Sequence, residues 1–483
     1  MKKLFSYLRF RLKHTFDNIQ NERLKYNLLQ AIPFWFASLL TGIVAVLYAK
    51  LFEWGEHILF SILHWQSWLI FIIAPLGFVL SWWLVERYAP YSRGSGIPQV
   101  MASVTLANPK QRRKIKYLLS IKIVLIKVLS SIVLVIGGGA IGREGPTIQI
   151  AGSLFRFVNQ ILPKWWPKIS IKNMIMTGAA AGLSAAFNTP LGGIVFAVEE
   201  LSKTHMNYFK TALFTAVIIA GLTAQTLAGS YLYLGYPKTQ GIGIGIIFPV
   251  ILVAFLCGLM SSKLSKLMLA INHFRAGLKN NRQQVVFLVV SALIIATMAF
   301  FVDKSILGSG KGLMERVLFS DEKEQAWYMP IFRMLGPALS FTSGGAGGIF
   351  APALSAGASC GAFFSDIMHL SRNETNVIIL AGMVAFLTGI TRAPFTSAIL
   401  VLEMTDRHSL IFYLMLSGMV SSIAALLVSR KSLYDELRDH YLKSLEQQYG
   451  SHENLPKTKL NLSDLGKNKT SKTPFPDVSR KPD

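Results

Sequence analysis

Seven stretches of this chain, 34–51, 69–85, 118–136, 208–234, 246–269, 285–302 and 411–428, are apolar, with few charges, over lengths that suit a bilayer. A helix rises 1.5 Å per residue, so about 20 residues match a hydrocarbon core of about 30 Å. No water reaches a backbone N–H or C=O in that core, so each span must bond within its own turns. The expected fold class is an all-α polytopic membrane protein. Composition agrees, with 52% hydrophobic residues and only 15% charged. Other apolar stretches are shorter or broken by Gly and Pro, which predicts helices that stop inside the membrane.

One carboxylate stands inside this apolar sequence. In Gly142-Arg143-Glu144-Gly145-Pro146 the proline suits the first helical position, where a missing N–H costs nothing, and Thr147, Ile148, Ile150, Ala151 and Gly152 continue the helix. Glu144 is then expected just ahead of a helix N-terminus. The unpaired N–H groups and positive dipole end there favour an anion, either this carboxylate or one that competes with it. In a soluble protein the residue would read as an acidic helix start. In a membrane a buried ion costs several kcal/mol unless something compensates it, so it calls for a functional reason.

Two further segments share this construction: Gly94-Ser95-Gly96-Ile97-Pro98, and Gly347-Gly348-Ile349-Phe350-Ala351-Pro352 leading into 353–362. The chain also repeats itself. The segment 178–190, with its continuation to Glu199, matches 382–394 and its continuation to Glu403, at an offset of 204 (178 to 382, 190 to 394, 199 to 403). Gly142, Glu144 and Pro146 align with Gly348, Phe350 and Pro352 at an offset of 206 (142 to 348). A duplicated unit is expected, 31–234 and 242–428. Such halves are often inverted, with broken helices meeting near the midplane. Converging helix N-termini would hold a small anion without a Lys or Arg that binds it too tightly for fast release.

The formal net charge of +24 invites a nucleic-acid reading. The basic residues, however, cluster at Lys2, Lys3, Arg9, Arg11, Lys13, Arg23 and Lys25, at 110–116, and after Arg430, all on the flanks of spans. The positive-inside rule accounts for them, places both termini in the cytoplasm, and leaves no nucleic-acid partner. Residues 1–30 read as a basic amphipathic helix on the inner surface, since Arg9 and Arg11 break any signal-peptide core. Residues 429–483 form a cytoplasmic end with a disordered, Pro-containing and charged tail. Trp54, Trp65, Trp68, Trp82 and Trp83 suit aromatic belts, and Cys257 and Cys360 read as small buried hydrophobes without metal-ligand spacing.

The three glycine motifs, in this order and over roughly 34–434, resemble the CLC family of chloride channels and proton-coupled chloride exchangers. The resemblance implies a homodimer in the bilayer, with one anion pathway per subunit. It implies that the Ser95 hydroxyl, the backbone N–H groups of Ile349 and Phe350, and the Tyr434 hydroxyl hold chloride. For Tyr434 an interfacial tyrosine is the competing reading. Glu144 matches the family's gating glutamate: its carboxylate can occupy the outer anion position and leave when protonated. Glu199 and Glu200 lie about 100° apart on a helix and cannot face one way. Glu200 matches the exchangers' proton-transfer position, against the plainer reading of a helix-end carboxylate paired with Lys203. Glu199 is expected to be a structural partner like Glu403.

By this likeness the chain is expected to be a compact bacterial member in the inner membrane, a secondary active antiporter exchanging chloride for protons. The serine of the first motif favours chloride over nitrate. The alternative is a passive channel on the same scaffold. An intramembrane enzyme has no nucleophile motif and no His-Glu-x-x-His site. Gly308-Ser309-Gly310-Lys311-Gly312 looks like a phosphate loop but has Gly312 where Ser or Thr must stand. No cofactor is expected, and Asp366 reads as an exposed acid at a helix end.

Overall fold

Backbone groups cut off from water pair most economically within their own turns, and the described residues do so almost entirely as helices. In the computed structural model of the protein, residues 21–202, 210–229, 232–321, 323 and 325–450 are described. The first half runs α1 (Glu22–Trp65), α2 (Ile70–Tyr88), α3 (Ile97–Thr105), α4 (Ile121–Ile136), α5 (Glu144–Ile161), α6 (Ile171–Phe187), α7 (Pro190–Phe196) and α8 (Lys210–Ala228). The second runs α9 (Ile247–Gly277), α10 (Asn281–Phe301), α11 (Lys311–Phe319), α12 (Tyr328–Thr342), α13 (Phe350–Ile367), α14 (Arg372–Thr391), α15 (Pro394–Thr405) and α16 (Ile411–Val428). α17 (Leu433–Tyr449) follows. Met1–Leu442 forms one unit and Lys443–Asp483 another.

Eight helices among the described residues are long and apolar enough to cross a membrane. Seven of them overlap the stretches expected from the sequence. The eighth, α14, was missed because Asn373, Thr375, Asn376 and Gly382 dilute its hydropathy, yet nearly all of it is buried inside the protein. The expected span 208–234 overruns its helix, since α8 stops at Ala228. Of the expected surface helix 1–30, residues 1–20 lie outside the described residues and 22–30 belong to α1. The expected disordered tail lies outside the described residues from 451 onward.

Matched elements of the halves have matched forms. α3 and α11 each have 9 residues and follow a left-handed glycine, Gly96 (φ 104°) and Gly310 (φ 83°). α5 and α13 each have 18 residues. α6 and α14 end on Asn188 and Arg392, both left-handed at φ 58° and 64°.

Reciprocal bonds fix the relative direction of the halves. Glu199 accepts from the N–H groups of Phe395 (3.2 Å) and Thr396 (2.7 Å) at the start of α15, and Glu403 at the end of α15 accepts from Leu191 (3.0 Å) and Gly192 (2.7 Å) at the start of α7. Each carboxylate caps the helix of the other half, so α7 and α15 run antiparallel and the repeat is inverted. The Gly142 N–H donates to Gly348 (2.8 Å) and the Gly348 N–H to Gly142 (2.7 Å), an antiparallel exchange at the centre.

Small residues bring the central helices together, as expected where lipid offers no hydrophobic drive between helices. A Cβ on Gly361 of α13 would lie 2.7 Å from the Ile378 carbonyl of α14, and one on Gly182 of α6 would lie 2.6 Å from the Ala151 Cβ of α5. Cys257 and Cys360 are free and buried. Trp54, Trp65, Trp68 and Trp83 are exposed, but Trp82 is buried and belongs to no aromatic belt.

Candidate functional site

Three glycine segments from distant parts of the chain are stitched into one cluster. The Gly94 N–H donates to Gly345 (2.8 Å), the Gly347 N–H to Gly94 (3.1 Å), and the Ala346 N–H to the Ser130 hydroxyl (3.0 Å). With the Gly142–Gly348 exchange, these bonds fix the starts of α3, α5 and α13 beside one another. Glycine is required where they touch: a Cβ on Gly145 would collide with the Ser95 hydroxyl, and one on Gly96 would lie 2.6 Å from the Gln149 Cβ.

α5 begins at Glu144 itself, so Pro146 is its third residue and not its first. The sequence rule tolerates the shift because none of the first N–H groups has an intrahelical acceptor. The first such bond runs from the Thr147 N–H to Arg143 (3.0 Å). In α13 it runs from the Ala353 N–H to Ile349 (2.9 Å), and Pro352 has no N–H. The N–H groups of Ile349, Phe350 and Ala351 therefore point out of the helix start.

The Glu144 carboxylate folds back over Gly142, where a Cβ would meet its Oε2, and faces the first turn of α13, with the Ala351 N–H acting on it. Oε2 makes no hydrogen bond of ordinary geometry, whereas Oε1 accepts from the Tyr233 hydroxyl at 3.3 Å. Arg143 points the other way, donating to Glu53 (2.8 Å) and to the Ala49 carbonyl (2.9 Å) on α1.

The residues singled out from the sequence, Ser95, Glu144, Ile349, Phe350 and Tyr434, meet here, all 1% exposed or less. The Ser95 and Tyr434 hydroxyls lie close enough for one to act on the other, yet neither makes a hydrogen bond of ordinary geometry. Tyr434 is no interfacial tyrosine: its ring stacks on Phe350 at 6.2 Å and 10°. Glu200 is 6% exposed and acts electrostatically on Tyr434 from a π-helical turn, Ala197–Ser202, that continues α7. Such a turn widens the helix and re-aims its side chains, which lets Glu199 cap α15 while Glu200 turns inward. Its suggested partner Lys203 lies outside the described residues. Asp366 is exposed on the last turn of α13.

Two features were passed over in the sequence. Lys127, inside the apolar α4, is fully buried and donates to the Gln149 Oε1 at 2.6 Å, directly behind the Ser95 loop. A lysine within a span was the available signal. Gly308-Ser309-Gly310 repeats Gly94-Ser95-Gly96 at an offset of 214 (94 to 308), so the apparent phosphate loop is the counterpart of the Ser95 loop. Among the described residues no group of three or more His, Cys, Asp or Glu is placed to hold a metal.

Residues 77–426 match the family described as voltage gated chloride channel. The chain is 27% identical over 433 residues to proteins named H(+)/Cl(-) exchange transporter ClcA from Salmonella paratyphi A and Salmonella typhi, covering 86% of this chain and 90% of each relative. Among solved structures it is similar to a slow cyanobacterial Cl-/H+ antiporter (TM-score 0.74, 24% identity, 86% of this chain and 98% of that one). It is also similar to a CLC-type fluoride/proton antiporter (TM-score 0.71, 16% identity, 87% and 99%). At these identities the two structures bear on the fold.

Proposed function

This chain belongs to the voltage gated chloride channel family, the CLC transporters and channels, and on that premise we propose that it is a secondary active antiporter exchanging chloride for protons. One observation carries the reading: the Glu144 carboxylate sits at the start of α13, near two buried hydroxyls, Ser95 and Tyr434, that make no hydrogen bond of ordinary geometry. Helix N-termini and neutral donors attract an anion without fixing it. The N–H groups of Ile349 and Phe350 and the hydroxyls of Ser95 and Tyr434 would hold chloride. The carboxylate competes for the neighbouring position at Ala351.

Proton coupling follows from that competition. An ionised Glu144 is itself the anion at the helix start, and it blocks the path. Protonation removes its charge, the dipole no longer holds it, and the position passes to chloride. Glu200, buried and acting electrostatically on Tyr434, supplies the inner proton acceptor. Names of relatives as H(+)/Cl(-) exchangers support antiport over a passive channel. The reading includes a homodimer, with exposed Leu191, Phe412 and Met419 on candidate faces, and a bacterial inner-membrane location with cytoplasmic termini, supported by the basic flanks of the spans. The chain moves ions and performs no covalent chemistry.

The test uses purified protein in sealed liposomes under a chloride gradient, with an ionophore setting the voltage and an electrode reading external pH. Protons are expected to move uphill as chloride flows. Glu144→Gln and Glu200→Gln should each abolish proton movement while chloride flux persists. Chloride flux without any proton signal in the unmodified protein would make it a channel. Full coupling in either variant would remove that residue from the mechanism.

A further inference from the structure

The segment joining the two halves carries a side chain that reaches the Glu144 carboxylate. Tyr233 follows α8, is 2% exposed, and donates its hydroxyl to Glu144 Oε1 at 3.3 Å. Its position is determined from several sides. The neighbouring Leu234 N–H donates to the Met404 carbonyl (3.1 Å) in the last turn of α15. The ring meets Phe187 edge-on at 5.1 Å, and the Lys311 ammonium lies over it at 5.1 Å. Further along, the Asn376 amide holds the Lys238 carbonyl (2.8 Å) and Arg407 holds that of Pro237 (2.6 Å). A tyrosine on an untethered loop could swing aside, but this one is braced.

We infer that Tyr233 is a positioning residue that latches the ionised Glu144 carboxylate in its docked place, so that the donor strength of this hydroxyl sets how readily the carboxylate leaves and anions pass. The inference rests on the reading of Glu144 as the gate. The two carboxylate oxygens are placed differently: Oε1 accepts from Tyr233, while Oε2 lies over Gly142 before the start of α13 and makes no hydrogen bond of ordinary geometry. A phenol donates well to a carboxylate and less well to the neutral acid, since a hydrogen bond to a charged group is the stronger kind. The latch therefore favours the state in which Glu144 blocks the path and weakens once a proton arrives. Arg143, Glu56 and Tyr48 also act on this carboxylate through space. Tyr233 also ends a row of rings, Tyr233–Phe187–Phe350–Tyr434, that joins the Glu144 carboxylate to the hydroxyl beside Ser95.

Tyr233→Phe keeps the ring, its packing on Phe187 and its contact with Lys311, and removes only the donor. In chloride-flux assays on liposomes it should raise turnover at neutral pH by about three- to tenfold, as loss of one long hydrogen bond to a carboxylate predicts. The rise in flux on acidification should move to higher pH, which a merely structural change would not produce. Lys311→Met, which frees the ring without touching the hydroxyl, should act in the same direction and more weakly. In a Glu144→Gln background Tyr233→Phe should leave flux unchanged, because the latch then has no carboxylate to hold. Unaltered turnover and pH profile in Tyr233→Phe overturn the inference, as does an equal effect with and without Glu144. Glu144→Gln alone separates the two failures. If it uncouples protons while Tyr233→Phe does nothing, only the latch is wrong, and if it stays coupled, the gate reading fails first.

Discussion

The two halves of the protein are nearly the same object, and the places where they differ are the places where chemistry can happen. Gly142 and Gly348 exchange bonds, Pro146 and Pro352 occupy equivalent turns, Asn188 and Arg392 end equivalent helices, and Glu199 and Glu403 cap each other's halves. Against that background, Glu144 stands where the second half has Phe350, and Glu200 stands where it has Met404. The backbone differs at the same spot, since α7 continues into a π-helical turn whereas α15 stays regular through Thr405. The paired Gly-Ser-Gly loops diverge in the same way. The Ser95 hydroxyl lies beside that of Tyr434 and makes no hydrogen bond of ordinary geometry, while the Ser309 N–H is taken by Glu56 (2.8 Å) and its carbonyl by the buried Arg333 (3.1 Å). Symmetric residues hold the scaffold, and on the proposed reading the asymmetric ones face the ions.

The sharpest way to break this comparison is to make the halves alike. Glu200→Met copies the second half into the first with little change in volume, and proton movement in liposomes should fall to that of protein-free vesicles while chloride flux persists. Adding Met404→Glu should not restore it, because that position lies on a regular helix without the π-helical turn that turns Glu200 inward. Recovery of coupling in the double variant would show that position within the half, and not the asymmetry, decides the role.

A smaller effect separates the two loops. Ser95→Ala removes one donor to a bound anion and should weaken chloride binding by about tenfold in calorimetric titration, the scale of a hydrogen bond to a charge. Ser309→Ala leaves the backbone bond to Glu56 intact and should leave chloride affinity as it was. Similar losses in both variants would mean that the second loop also faces the anion path.

Much of this was legible in the sequence because it is carried by residues that backbone geometry demands. Glycines beside a proline mark a helix start wherever they occur, so the starts of α3, α5 and α13 could be found, and the repeat followed from their spacing. Seven spans were visible from hydropathy, but α14 was not, since a helix buried in protein need not be apolar enough for lipid. Tyr233 left no local trace. It lies in the segment between the halves, 89 residues from Glu144, and only tertiary packing brings its hydroxyl to the carboxylate. The second Gly-Ser-Gly loop was visible but misleading, because Lys311 made it look like a phosphate loop. Its offset of 214 from the first loop differs from the 204 and 206 of the other pairs. From Gly94 to Gly142 the first half advances 48 residues and from Gly308 to Gly348 the second advances 40, so extra residues between α3 and α5 of the first half shift the register.

The mildest perturbation tests the symmetric half of the argument. Glu199 receives two backbone N–H bonds and the Thr396 hydroxyl (2.7 Å), and Glu403 receives two backbone N–H bonds, each at the start of the opposite half's helix. Replacing either by Gln sets an amide NH2 against those donors and removes the charge that the helix dipole favours. Each change should cost about 1–3 kcal/mol of stability. Glu199→Gln should cost slightly more because it also disturbs the Thr396 hydroxyl. Thermal unfolding of the purified variants in detergent should therefore show two similar decreases, and the liposome assay should show proton coupling retained in both. Loss of coupling in Glu199→Gln alone would mean that this carboxylate works with Glu200, its neighbour on the π-helical turn. The boundary between scaffold and transport would then run between Glu199 and Glu403, and no longer between Glu199 and Glu200.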